Sequence, residues 1–372
     1  MLIRRFKLSR KNYLKYKNGI SKFEAVLLIA LIVVSLFACY AWLVRRTSTP
    51  TRAPPKTITI VDSSGKYVTI SWPLKRIVAL SSDSAQVLIA LGAKDTIVGL
   101  TKYAIGKPWA PKVPEVGSCF KPNIEAIVAT KPDAVITYVR FPKPEALEEK
   151  LEPLGIKVVR LDFYKIETLL AEVKLLGLLV NRTERAEELV KYWKGIVDMI
   201  KGRVKGLKPE ERVRVYFEGY HDYHAAGPST GWDELLRLAG GINIFADSPI
   251  PYPKVSLEAV IERNPDVIIK AISSTKFKAY GATDPRPLEE LWKKIVTRPG
   301  WSEIKAVKNG KVYLICADHL HSSFGLFAEL AYIAKLLYPG LFKDLDPISI
   351  HRKYLEDILG VKYVGIWIYP SD

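Results

Sequence analysis

The chain has 372 residues, of which 48% are hydrophobic and 26% are charged, a balance typical of a globular protein. This length is enough for two ordinary domains, each with its own hydrophobic core. The formal net charge is +17, but twelve Lys and Arg residues and one Glu before residue 57 account for +11, which leaves +6 for the rest. Because the remainder carries no basic stripe with interleaved aromatic residues, we exclude a nucleic-acid-binding protein.

The N-terminal segment is predicted to span a membrane. Residues 1–24 are basic, and residues 25–44 (AVLLIALIVVSLFACYAWLV) form an uncharged apolar run long enough for one transmembrane helix. Since Lys and Arg are dense before this run and sparse after it, we expect the N-terminus in the cytoplasm and the bulk of the chain outside. A buried core helix is the alternative, but such a run with no polar face fits a bilayer better.

Three outcomes of signal processing are open. The residues around Gly19 resemble the pilin-like signals of archaeal surface proteins, and cleavage there leaves the apolar run in place. A faint lipoprotein box ends at Cys39, and the third outcome is no cleavage. In the favoured interpretations the protein stays tethered to the cell membrane by a single pass, with residues 45–57 as a short Pro-containing linker.

The first half of the body, residues 58–180, is predicted to form one α/β lobe. A small hairpin at 58–60 and 67–70 precedes buried strands at 76–80, 96–100, 134–137 and 157–161. Parallel strands with helical crossovers bring their carboxyl ends to one edge of a sheet, where ligands of open α/β sheets bind. Candidate ligand contacts at or near this edge are Ser82, Asp83, Tyr103, Ser118, Tyr138 and Arg140, and the arginine suits a carboxylate or oxyanion.

One unit of sequence occurs twice. PNIEAIVATKPDAVIT (122–137) aligns without a gap with VSLEAVIERNPDVIIK (255–270), so that Glu125 matches Glu258 and Asp133 matches Asp266. Each copy is typical of a short helix, a Pro-Asp break and a buried strand. The chain therefore looks like two related α/β halves.

A long helix is predicted between the halves, at residues 181–205. Its apolar residues recur at helical spacing along one stripe, and its length of about 33 Å at roughly 1.5 Å per residue suits a strut across a small domain. Asn181 is the expected N-cap, with Glu184 completing a capping box.

The second half, residues 206–345, repeats the plan, with strands at 213–217, 267–270 and 311–315, and residues 346–372 form a C-terminal extension. All five histidines lie beyond residue 220, so a bare-metal site with histidines from both halves is disfavoured. The alternative to ligand contact is that these loop histidines are simply exposed or act as caps. The candidate ligand contacts here are Tyr220, His221, Tyr223, His224, His319 and His321.

The three cysteines show no metal-binding spacing. Cys119 and Cys316 are able to pair only by bridging the two halves, and free, buried thiols are the favoured alternative.

The motifs RIVALSS, GSCFKPNIEAIVATKPDAVI, GWDELLRLAGGINIFAD, KVSLEAVIERNPDVII and WSEIKAVKNGKVYLI occur in this order between residues 75 and 338. In that order they resemble the cobalamin and iron-complex binding proteins of ABC importers. The resemblance implies two Rossmann-like lobes bridged by one rigid helix, the class III periplasmic-binding-protein fold, here in an archaeal-looking, membrane-tethered form.

The same resemblance implies a function. Such a protein is not an enzyme and needs no cofactor; as a monomer, it captures an iron chelate or siderophore, haem or a corrinoid between its lobes. It delivers this cargo to a permease dimer with ATPase subunits, and a glutamate of each lobe, here Glu125 and Glu258, pairs with permease arginines. First-turn glutamates that merely favour the helix dipole are the alternative for these two.

Other functions are open at this point. A molybdate- or tungstate-binding protein of the same fold is the main alternative, and it predicts a tight pocket with few aromatic residues and several donors. A chelatase-like enzyme and a surface sensor are further alternatives, but the chain lacks both the cysteines of a cluster and a cytoplasmic signalling domain.

Overall fold

The computed structural model describes residues 21–47 and 56–371, with the side chains of 21–43 and 56–371. The expected cleavage position after Gly19 and most of the 45–57 linker lie outside this range. The chain divides into two compact units, Met1–Pro55 and Lys56–Asp372. The first contains helix α1 (Lys22–Thr47), which begins with reciprocal capping between Ser21 and Glu24.

Helix α1 exposes its apolar side chains. Its segment Lys22–Leu43 spans 22 residues with a mean hydropathy of 2.7, and none of its most apolar window is buried. An exposed helix of this length and composition fits either a membrane anchor or a signal sequence.

The second unit opens with the first lobe, a four-stranded parallel sheet preceded by an antiparallel hairpin. The predicted strand 134–137 is exact, and the other predicted strands differ by one or two residues at their ends. In chain order the elements are β1 (Thr57–Val61), β2 (Tyr67–Ser71), β3 (Ile77–Ala79), α2 (Ser82–Ala90), β4 (Ile97–Leu100), α3 (Ile124–Ala129), β5 (Ala134–Thr137), α4 (Pro144–Leu151), β6 (Lys157–Arg160) and α5 (Ile166–Leu179).

Helix α6 (Thr183–Val204) follows, and its predicted apolar stripe is confirmed as a buried face. The predicted cap at Asn181 is wrong. Helix α5 ends so close to α6 that Asn181, with a φ of 55°, turns the chain at the end of α5, while the Arg182 amide bonds the Gly177 carbonyl at 2.7 Å. A residue in this left-handed turn is not available as the N-cap of the next helix.

The second lobe is a five-stranded sheet that is parallel apart from its last strand. The C-terminal segment belongs to it, because its strand Ile368–Tyr369 pairs with Leu314 and Ile315. In chain order the elements are β7 (Arg214–Glu218), α7 (Gly231–Leu238), β8 (Ile242–Asn243), α8 (Leu257–Arg263), β9 (Val267–Ile272), α9 (Arg286–Val296), α10 (Lys305–Lys308), β10 (Val312–Cys316), α11 (Ala317–Leu320), α12 (Gly325–Leu337), α13 (Pro347–Lys353), a π-helical turn (Tyr354–Ile358) and β11 (Ile368–Tyr369).

The strand orders β4-β3-β5-β6 and β11-β10-β9-β7-β8 place two separate sheets in one compact unit. Strands β5 and β9, which end the two copies of the repeated sequence, each lie in the interior of their own sheet. The carboxyl ends of the parallel strands therefore form one edge in each lobe, as expected from the repeat.

The largest side chain that α6 buries is that of Trp193. This residue is fully buried, and its ring stacks on Phe327 at 4.8 Å between centroids and lies 5.7 Å from Phe324, both from the second lobe. Toward the N-terminal end of α6, Ala186 packs so closely on Gly177 of α5 that a Cβ at position 177 would lie 2.5 Å from the alanine Cβ. The strut is thus fixed to both lobes.

A buried carboxylate also joins the lobes directly. Glu234 of α7 accepts hydrogen bonds from the backbone amides of Ile166 at 3.0 Å and Glu167 at 2.6 Å, and so caps α5 from the opposite lobe. Helix α5 has no side-chain cap of its own, so its first turn depends on the second lobe.

Candidate functional site between the lobes

A cavity of about 520 Å³ lies where the carboxyl-terminal edges of the two sheets face each other. Strands β3, β4 and β5 contribute the loops on one side, and β7, β9 and β10 contribute those on the other. Seven of the predicted ligand contacts line it together: Ser82, Asp83, Tyr103, Tyr138, Tyr220, His319 and His321.

Several lining residues escaped prediction from the sequence. Lys107 and Trp109 lie in the loop after β4, where a tryptophan in a polar stretch was the available signal. Ser322 directly follows the predicted His321, but only the approach of the lobes reveals its partner. The remaining unpredicted lining residues are Ser81, Gln86, Cys119, Phe120, Ser274 and Asp318.

Five predicted contacts lie away from this lining, and their contact with a ligand stays a prediction. Ser118 is buried, where its hydroxyl accepts from the Lys121 amide at 3.1 Å. Tyr223 packs against Trp301, with ring centroids 6.3 Å apart, rather than toward the cavity.

The other three of these lie in loops. The rings of His221 and His224 contact each other, with centroids 5.5 Å apart, and Arg140 is exposed to solvent. A position just after a strand end therefore did not by itself bring a side chain to the cavity.

Asp83 is the centre of the polar network in the cavity. It lies in the first turn of α2, which Ser81 caps. Its carboxylate accepts from the Tyr138 hydroxyl at 2.5 Å and from the Ser322 hydroxyl at 2.5 Å. Burial raises the pKa of Asp83 to about 6, although the hydrogen bonds from Ser322 and Tyr138 oppose the shift.

The same network joins the lobes. Asp83 belongs to the first lobe and Ser322 to the second, and Gln86 of α2 accepts from the Tyr354 hydroxyl at 2.7 Å. Both contacts are buried. Separation of the lobes at this point would therefore have to break these buried hydrogen bonds between them.

A buried ion pair holds the loop that carries Tyr138. Arg160 of β6 pairs with Glu148 through two hydrogen bonds of 2.6 and 2.7 Å, and it also donates to the carbonyls of Tyr138, Val139 and Pro142. Satisfying a buried guanidinium in this way fixes the backbone after β5. Burial, followed by the nearby Asp83 charge, raises the pKa of Tyr138 well above its usual value, so this phenol stays protonated.

The second lobe supplies two imidazoles. Burial lowers the pKa of His319 to about 4, and the Lys107 charge lowers it further in the same direction, so His319 is neutral near pH 7. His321 is 2.8 Å from Glu329 through Nδ1 and packs on the Trp232 ring at 4.8 Å. A neutral imidazole offers a lone pair to a metal or to a donor group.

The lining combines aromatic walls with carboxylates. Among the described lining residues Asp83 and Asp318 are the acidic ones, and Lys107 is the only Lys or Arg. Ser274 donates to the Asp318 carboxylate from its backbone amide at 2.7 Å and from its hydroxyl at 2.6 Å. Within the described residues no three His, Cys, Asp or Glu side chains gather as a metal site. This cavity suits an organic molecule with conjugated or apolar faces better than a bare metal or a small anion.

A family model described as periplasmic binding protein matches residues 77–318, well over half of the chain. The chain belongs to the periplasmic binding protein family.

The sequence is also similar to individual proteins that bind solutes. The uncharacterized ABC transporter substrate-binding lipoprotein YvrC of Bacillus subtilis (strain 168) is 28% identical over 292 residues, which cover 77% of this chain and 87% of that protein. The vitamin B12-binding protein of Salmonella paratyphi A is 33% identical over 196 residues, which cover 53% of this chain and 72% of that protein.

The fold agrees as well. The TroA-like periplasmic binding protein FepB from Veillonella parvula superposes with a TM-score of 0.72 at 26% identity, covering 85% of this chain and all of that one. The predicted class III fold is confirmed.

As a periplasmic binding protein, the chain is an extracytoplasmic solute-binding component of an ABC importer that works with permease and ATPase components. It binds a small ligand and is not an enzyme. The Bacillus relative is a lipoprotein, and α1 has the length and composition of an anchor or a signal.

Proposed function

We propose that the cavity captures a metal complex with an organic ligand shell: a corrinoid, haem or an iron chelate. The observation that carries this proposal is the lining, in which aromatic side chains from both lobes surround a volume of about 520 Å³. Ligand pockets for organic molecules typically measure about 300–1,000 Å³. The 33% identity to a vitamin B12-binding protein supports a corrinoid as the first ligand to test.

The same lining argues against molybdate or tungstate. An oxyanion needs convergent donors and no nearby anion, whereas Asp83 and Asp318 present acceptors. The cavity is also wider than a tetrahedral anion requires.

Glu125 and Glu258 are proposed as the permease-docking residues. Each is the second residue of its helix, α3 or α8, and each is exposed. Neither forms an ion pair with another described residue. Exposed carboxylates at matched positions on two lobes suit basic partners on two permease subunits, where such pairs guide orientation and association.

The placement of the protein is a proposal too. Helix α1 serves as a single-pass anchor that leaves a monomeric body outside the cell. In that body residues 58–180 and 206–345 act as lobes, 181–205 as the strut and 346–372 as a C-terminal extension of the second lobe.

The ligand is tested by titrating the full chain, in detergent, with cyanocobalamin, haemin, a ferric tris-catecholate, molybdate and tungstate. Calorimetry measures affinity and stoichiometry, and tryptophan fluorescence reports on Trp109, with Trp109→Phe as the control that removes this signal. We expect one metal complex to bind 1:1 and to quench Trp109. Binding of an oxyanion alone would overturn the proposal.

Docking is tested with Glu125→Arg and Glu258→Arg, singly and together. We expect the double variant to lose stimulation of the permease-coupled ATPase while ligand affinity stays unchanged. Glu149→Arg, on the exposed face of α4, is the charge-matched control. Full stimulation by the double variant would exclude docking through these residues.

A further inference from the structure

A second cavity, of about 240 Å³, lies beside the first at the carboxyl-terminal end of β9. Tyr220 lines both cavities, so the two adjoin. The linings differ in charge. The second is bordered by four cations and one carboxylate: Lys270, Lys276, Lys294, Arg298 and Asp222.

The buried groups beneath this cavity include two cations but only one carboxylate. Glu218 is fully buried and is shared by Lys270 at 2.8 Å and by Arg298, which bonds both oxygens at 2.8 and 3.0 Å. Two cations on one carboxylate leave one positive charge to be balanced. Because a buried charge is costly without a partner, something at the cavity surface must balance it.

In this structure Asp222 supplies that balance, but loosely. Its Oδ1 lies 3.2 Å from the Lys270 ammonium and 3.0 Å from the Arg298 guanidinium. Its side chain is nevertheless 69% exposed, whereas that of Lys270 is only 5% exposed. An exposed loop carboxylate over two fixed cations is a partner that another anion is able to displace.

The cations are well prepared for an anion. The Arg298 guanidinium lies 4.7 Å from the Tyr223 ring centroid and 4.6 Å from that of Trp301, so its plane is held by two aromatic faces. Lys276 and Lys294 are exposed at the rim and form no ion pair with another described residue. A fixed guanidinium with neighbouring ammonium groups suits a carboxylate or a phosphate.

We infer that this second cavity is an anion subsite, which takes a carboxylate or phosphate group attached to the metal complex whose core lies in the first cavity. The inference rests on the proposed function. The first cavity, with Asp83 and Asp318 in its lining, disfavours the anionic part of a ligand, and the adjoining cationic cavity accepts it. Asp222 occupies the subsite until the ligand arrives.

The experiment compares two pairs of ligands, one member of each pair with an anionic group and the other without it. Haemin is measured against its dimethyl ester, and cyanocobalamin against dicyanocobinamide, which lacks the phosphodiester-linked nucleotide. Each is titrated into the full chain in detergent and into Lys276→Gln/Lys294→Gln, at low and high salt. Lys278→Gln is the matched control, because Lys278 is exposed on the same loop but does not line the cavity.

The double variant is expected to weaken binding of the anionic ligand by about tenfold at low salt, with less effect at high salt, and to leave the analogue without the anion unchanged. Asp222→Asn is expected to tighten binding of the anionic ligand, because it removes the competing charge. Equal effects of the double variant on both members of a pair would overturn the inference.

Inorganic phosphate provides a second readout that does not need the metal complex. Broadening of the phosphorus-31 resonance is expected with the wild-type chain and is expected to fall in the double variant but not in Lys278→Gln. Absence of phosphate binding would overturn the subsite. Phosphate binding with no dependence on the ligand's anionic group would identify a site for free anions instead. If no metal complex binds, the proposed function fails, while the phosphate measurement still decides whether this cavity takes anions.

Discussion

The two lobes use the same device to build their sheets and different side chains at the edge that faces the ligand. In the first lobe Asp133 accepts from the backbone amides of Lys75 and Arg76, and in the second Asp266 accepts from that of Arg214. Arg76, just before β3, donates to the carbonyl of Thr130, the C-cap of α3, and Arg214 of β7 donates to the carbonyl of Arg263, the last residue of α8. The Pro-Asp break is therefore a scaffold feature that both lobes need.

At the carboxyl-terminal edges this likeness ends. The first lobe presents Asp83 and Tyr138, and the second presents His319 together with the cations around Glu218. Repeated backbone geometry combined with different side chains at the two edges suits a ligand whose two sides differ. The sequence repeat accordingly predicts the scaffold and does not predict the recognition chemistry.

The largest expected effect concerns the packing of the strut α6 on the second lobe. Trp193→Ala leaves a cavity against Phe324 and Phe327, and we expect it to lower the free energy of unfolding by about 3–5 kcal/mol in chemical denaturation. Lys194→Ala, in an exposed pair with Asp198, is the control and should change stability by less than about 0.5 kcal/mol. Equal effects of the two would show that the strut is not packed as described.

A second prediction compares the pH dependence of stability that comes from Asp83 of the first lobe with that from His319 of the second. Burial raises the pKa of Asp83 from 3.8 to about 6, so the folded state binds this proton more tightly, and the stability it provides is lost as the pH rises through 6. We expect Asp83→Asn to remove this loss. Between pH 4 and pH 7.5 the free energy of unfolding of the variant should therefore rise by up to about 3 kcal/mol relative to that of the wild type.

His319 should act with the opposite sign. Its pKa falls from 6.5 to about 4, so the folded state resists protonation and the wild type loses stability as the pH drops through this range. His319→Gln should flatten the acid side of the stability curve, measured by denaturation at each pH. Differences from wild type that do not vary with pH would contradict the burial of these two groups.

The smallest expected effect compares the two copies of the Pro-Asp unit. Asp133→Ala loses two backbone hydrogen bonds to a carboxylate and Asp266→Ala loses one, so we expect costs of about 2–3 and 1–2 kcal/mol. Denaturation midpoints of the two variants measure the difference. A larger cost at position 266 would show that the units do not work alike.

The sequence predicted local structure well because local rules govern it. The Pro-Asp break followed by a short apolar run predicted the bounds of β5 correctly. The error at Asn181 arose where two helices compete for one residue, which no local pattern resolves.

The site was predicted in part. Tyr138, directly after β5, and Asp83, in the first turn of α2, reach the cavity, whereas Tyr223 packs on Trp301 instead. Ser322 became visible only through its contact with Asp83 across the lobes, 239 positions apart in the sequence. Such contacts depend on how two folded lobes meet.

The central claim is that one ligand contacts both lobes inside the aromatic cavity. Hydrogen–deuterium exchange of the full chain in detergent, with and without the metal complex that binds in titration, tests it most directly. We expect protection to rise together in residues 103–109 and 118–120 of the first lobe and in residues 318–322 of the second. Protection confined to one lobe, or absent from all three segments at saturating ligand, would contradict it.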